Sequence, residues 1–160
     1  MSRRRRVPTP ALLLALAALA CGRPEGPRAI VWDREPCAHC HMLISDPAFA
    51  AQLEGADGDL LAFYDPGCLL AYLSRHRDAI GRIWFHHLKE DHWMPGDRVA
   101  FVRVPRTPMG YGLGAVDGGT PGSVSLEEAK ALVAAHDAAQ ETPRTAGPEA
   151  PPGAGMEPPR

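Results

Sequence analysis

Between residues 48 and 136, short apolar runs and turn residues follow each other in a repeating order. Ala48-Phe-Ala-Ala-Gln-Leu-Glu54 and Asp59-Leu-Leu-Ala-Phe-Tyr-Asp65 are joined by Gly55-Ala-Asp-Gly58, a spacing that predicts a β-hairpin. Asp65 then offers an N-cap and Pro66 a first helical position. Leu69, Leu70, Tyr72 and Leu73 supply one apolar face of a helix ending near His76 or Arg77, with Cys68 reading as a buried small apolar residue. Arg82 to Leu88 is rich in strand formers and predicts a third strand.

The second half repeats this order. Arg98-Val-Ala-Phe-Val-Arg-Val104 alternates polar and apolar residues as a half-buried strand does, and Tyr111 to Val116 predicts a strand weakened by glycines. Ser125 with Glu128 forms a capping box ahead of a helix to about His136, with Leu126, Ala129, Leu132 and Val133 as its apolar stripe. The expected fold is α+β, two related β-β-α-β units with the second truncated, since no last strand precedes the Pro-rich tail.

The two ends differ from this body. Arg3 to Arg6 precede an apolar run from Ala11 to Ala20, the layout of an export signal and about half the length needed to span a bilayer. Ala20-Cys21-Gly22 resembles the lipobox of bacterial lipoproteins, which implies Cys21 as the lipid anchor; a plain secretory signal with a chance Cys, or an uncleaved anchor, is the alternative. The expected organisation is therefore a signal over 1–20, a tether over 21–28, one domain over 29–140 and a disordered Pro/Gly-rich tail over 141–160. The formal charge of −2 averages these parts. Four of the seventeen bases belong to the signal, so thirteen bases against nineteen acids leave −6. A net acid domain excludes a general nucleic-acid binder.

The chemistry concentrates in Glu35-Pro-Cys37-Ala-His-Cys40-His-Met42-Leu-Ile-Ser-Asp46. Thiolate, thioether and imidazole are soft and borderline donors, and Cys-x-x-Cys lets two sulfurs turn toward one ion. Three metal readings compete. Zinc would need further ligands, from among His86, His87 and His92, and leaves Met42 without a role. Haem is suggested by Cys37-Ala-His-Cys40-His41, the attachment motif of a c-type cytochrome, with Met109 as distal ligand, but no amphipathic helix precedes Cys37. Cu(I) uses both Met42 and Met109. Two further readings of Cys37 and Cys40 are a structural disulfide and a thiol–disulfide redox pair.

Cys37-x-x-Cys40-x-Met42-x-Ile44-x-Asp46, then Phe49-Ala-Ala-Gln52, and later Ala100-Phe-Val102 with Thr107-Pro-Met-Gly-Tyr-Gly112, resemble the signature of the NosL family of copper-binding lipoproteins. The resemblance covers about residues 30–135. His41 departs from it, standing where the family typically has Gly, and Cys68 is an additional thiol. The resemblance implies a periplasmic Cu(I) chaperone, lipid-anchored in the cell membrane, that aids assembly of nitrous oxide reductase. Its expected partners are an apo copper enzyme, that reductase or another exported one, and a membrane transporter complex.

The expected cargo ligands are Met42, Met109 and one of Cys37 or Cys40, with His39 or His41 as additional donors. Binding through thiolate releases a proton. His86, His87 and His92 read as a solvated surface stretch, with a partner contact or a secondary copper patch as the alternative; His76 and His136 read as helix-end cations, and Asp46 as a loop-fixing residue. No Ser-His-Asp order, phosphate loop or carboxylate pair stands out, so the expectation is a carrier and not an enzyme.

Overall fold

The computed structural model describes residues 26–78 and 81–141. The expected export signal, Cys21 with most of its tether, and the tail beyond residue 141 lie outside them.

Polar caps and turns start several of the elements. Asp46 accepts the Ala48 amide through Oδ1 at 3.0 Å and Pro47 follows, so Pro47–Phe49 closes into a 3-10 turn. The expected strand therefore begins later, as β1 (Ala51–Glu54), pairing with β2 (Leu60–Phe63) around the Gly55 to Gly58 turn. Asp65 caps α1 (Pro66–Arg75), and β3 (Arg82–His86) returns antiparallel to β1. A strand the hydropathy pattern did not predict, β4 (Trp93–Pro95), adds to the far edge of β3. It is three residues long and includes Pro95, too short to show an alternation.

The fold is α+β, as expected. The first sheet runs β2-β1-β3-β4, and a separate two-stranded sheet pairs β5 (Val99–Arg103) with β6 (Leu113–Asp117). Val124 bridges to Phe101 beside β5, followed by α2 (Leu126–Glu141). The capping box forms: the Ser125 amide donates to Glu128 Oε2 at 2.8 Å and the Glu128 amide to Ser125 Oγ at 3.3 Å. This helix runs past its expected end at His136, and Arg75 of α1 lies 3.5 Å from Asp137 and 3.6 Å from Glu141. His136 is therefore interior to the helix, packed on Tyr111, and not a terminal cation.

Strands of three to five residues hold little by themselves, so the core joins the two sheets. Phe85 of the first meets Phe101 of the second edge to face, 5.0 Å between centroids. Phe63, Phe85, Phe101, Leu53, Leu69 and Leu113 are almost fully buried, each contributing roughly 2–3 kcal/mol of transfer free energy. The helices pack on each other, and the start of α1 faces the loop before β6, where the chemistry gathers.

Candidate metal centre

Residues 30–44 form a narrow loop that clips to the sheet edge. The Cys37 amide donates to Met42 O at 2.9 Å, Ile44 to Glu35 O at 2.9 Å, and Ala38 to Ala62 O of β2 at 2.9 Å. The Arg28 guanidinium pairs with Glu35 and holds its carboxyl below the usual carboxylate range. Within this loop Ile30, Cys37 and Ile44 point into the core, while Val31, Trp32, Met42 and Leu43 are exposed. Closing the turn after Cys40 puts His41 at φ +63°, the left-handed region that glycine adopts without strain.

The turn brings Cys37 and Cys40 to Cys68, in the first turn of α1. One sulfur from each lies within 4.8 Å of the other two. Around one ion with metal–sulfur bonds of about 2.3 Å, three sulfurs stand roughly 4 Å apart, a spacing that small side-chain rotations reach. Cys37 and Cys68 are fully buried, Cys40 half-buried, and none is in a disulfide. Sequence reasoning placed Cys68 in the interior correctly and missed its partners. Its interior position on the helix fits packing as well as ligation, and nothing local signals the loop that folds over it.

The three thiols differ in character. The Cys68 thiol donates to Cys37, backbone N–H groups of Cys40, Tyr64 and His39 assist, and the Cys37 thiol is pulled down to about 5. Cys68 is pushed up because its proton is committed to that sulfur and its surroundings are apolar. Burial pushes Cys40 up. The centre thus holds one standing thiolate and two protonated thiols near neutrality.

Asp65 ties the centre to the second half. It has 0% exposure, its Oδ1 accepts the Gly67 amide at 2.8 Å, and its Oδ2 accepts the Met109 amide at 3.0 Å. Gly67 allows the closure: a Cβ there would lie 2.0 Å from the Tyr111 ring, which rests on the helix start. Met109 is thereby carried to the end of α1 that bears Cys68, half-buried against the core. Met42 does not join the thiols in the interior and is 56% exposed on the outer face of the loop. His39 is half-buried, its pKa lowered by burial and by the nearby Arg75 guanidinium; His41 is exposed.

The stretch expected to be solvated is largely not. His86 and His87 are buried and His92 is half-buried, because β3 carries the first into the sheet and the tip folds the others together. Among the described residues no helix is long and apolar enough to cross a membrane. No family model, curated protein or solved structure matches the chain.

Proposed function

We propose that this domain carries Cu(I), held through Cys37, Cys40 and Cys68, and passes it to an exported copper enzyme. The single observation behind this is the convergence of three sulfurs within 4.8 Å at a largely buried site. Thiolates favour soft ions, and three satisfy an ion of low coordination number. A structural zinc site would need a fourth ligand closed around it. The half-buried Cys40 leaves the one accessible edge, and the exposed Met42 two residues on is a thioether where an acceptor's ligand can first meet the ion. Met109, on the loop fastened to Asp65, is the candidate additional donor.

The same reading places the chain on the outer face of the membrane, tethered through Cys21, as a carrier and not an enzyme. The NosL resemblance points to nitrous oxide reductase, or another exported copper enzyme, as the recipient, with a membrane transporter complex as a further partner. Burial of Cys37 argues against covalent haem, which needs both sulfurs at an open crevice. A thiol–disulfide role is the competing reading, favoured by the low Cys37 pKa.

Anaerobic competition with a Cu(I) chelator decides between them. The full chain is expected to withdraw one Cu(I); Met109→Ala, at the candidate additional donor, is expected to weaken it, and Met42→Ala, at an exposed side chain outside the thiol cluster, to leave the equilibrium affinity near that of the full chain. A covalent Soret band after expression in a haem-attaching host, or a chain that takes up no Cu(I) when reduced, overturns the proposal.

A further inference from the structure

We propose that the hairpin tip between β3 and β4 is a second, separate metal site, for a divalent borderline ion of the Zn²⁺ or Cu²⁺ class, built from His87, Glu90 and His92. One ligand atom from each lies within 4.8 Å of the other two. The backbone makes the cluster. The His87 amide donates to His92 O at 2.9 Å, so the two residues face each other across the hairpin and their rings stack, 4.8 Å between centroids.

Two carboxylates then take opposite sides of the His92 ring. Glu90 Oε2 stands 3.6 Å from Nδ1, and Asp117 Oδ1, from the end of β6, stands 3.6 Å from Nε2. Two ligand atoms around one tetrahedral ion with bonds of about 2.1 Å lie roughly 3.4 Å apart, so Glu90 and His92 Nδ1 are spaced to share an ion. Asp117 on the far nitrogen is the arrangement by which a carboxylate orients a ligating imidazole and raises its basicity.

His87 is the adaptable member. Its Nδ1 accepts the amides of Lys89 and Glu90 at 3.2 and 3.0 Å. An ion that takes His87 must exchange those two bonds for its own, which only an ion with high affinity for imidazole does. That selects Zn²⁺ or Cu²⁺ over Mg²⁺ or Ca²⁺. The tip offers no sulfur, so it is chemically complementary to the thiol centre and independent of it. His86, paired with Asp91 at 3.2 Å, and the exposed Trp32 line the adjoining cleft and leave room for an approaching ion.

The test is Zn²⁺ titration of the full untagged chain, read at the imidazole ring signals by NMR. Zn²⁺ is expected to move the His87 and His92 rings saturably with one equivalent at this site, whatever the thiols bind. Glu90→Gln, an isosteric change on an exposed side chain, is expected to weaken this at least tenfold, and His92→Gln to abolish it. Mg²⁺ should leave both rings unmoved. Rings that do not respond to Zn²⁺, an unchanged affinity in Glu90→Gln, or an equal response to Mg²⁺ each overturn the proposal.

Discussion

The thiol centre and the hairpin tip each gather three donors within 4.8 Å of one another, by opposite means. Cys37 and Cys40 come from a loop and Cys68 from a helix beyond the next hairpin, and burial of Cys37 and Cys68 keeps water from the sulfurs. His87, Glu90 and His92 lie on one tip, and only His87 is buried. A site assembled across the fold is coupled to folding, so damage to its supports and loss of its ligands go together. A site whose donors lie on one turn is coupled mainly to that turn, with Asp117 of β6 its one support from outside. Its donors can change with little effect on the rest of the molecule.

The largest expected effect is at Cys68. Loss of a residue that merely supports a ligand costs about 10–100-fold in metal affinity, so Cys68→Ala should weaken Cu(I) by a hundredfold or more in chelator competition. A Cys68→Ala chain that binds Cu(I) like wild type would reduce the centre to a loop site of the same kind as the hairpin tip.

Acidity comes next, and its sign follows from the three thiols. Near neutrality Cys37 is already ionised while Cys40 and Cys68 are protonated, so binding releases about two protons per ion. Chelator-corrected affinity should fall about a hundredfold per unit as pH drops from 7 toward 5, and more steeply below 5, where Cys37 also protonates. Without metal, the depressed Cys37 pKa stabilises the fold. That contribution is full above the ordinary thiol value near 8.5 and lost as pH falls through about 5.

Asp65→Ala removes a helix cap, about 1 kcal/mol, and leaves the half-buried Met109 amide without its acceptor, about 1 kcal/mol more. A loss of about 2 kcal/mol in urea unfolding, with weakened Cu(I) binding, would show that support and site fail together. Unchanged Cu(I) affinity despite that loss would uncouple them. His41→Gly should stabilise by roughly 0.5–1 kcal/mol in the same assay, because it relieves a left-handed residue while loosening the unfolded chain. At the hairpin tip, Glu90→Gln should shift stability by no more than about 0.5 kcal/mol, as an exposed substitution does. A larger loss would make the tip a structural support.

Much of the fold was legible because its signals are local. The Asp65 cap, Pro66, the Ser125–Glu128 box and the glycines between β1 and β2 each act within a few residues, and each starts or turns an element near its predicted place. β4 gave no such signal, and the 3-10 turn at Pro47 shortened β1 because a cap and a proline outweighed an apolar run. In the candidate centre, Cys-x-x-Cys was legible as a donor pair, and Cys68 only as an interior residue. Met42, adjacent to those donors in sequence, is exposed on the loop, although its carbonyl accepts the amide of the buried Cys37.

What the chain order determined by itself is the inventory: α+β elements, soft donors concentrated in one short segment, and imidazoles and carboxylates concentrated in another. The choice of which donors meet fell to tertiary structure. Cys68 reaches Cys37 only because Asp65 and the Tyr111 ring seat the start of α1 beneath the loop, and Asp117 reaches His92 only because β6 ends beside the tip. Short-range preferences are written in neighbouring residues. Contacts between distant segments depend on how the core packs, and that is a property of the whole chain at once.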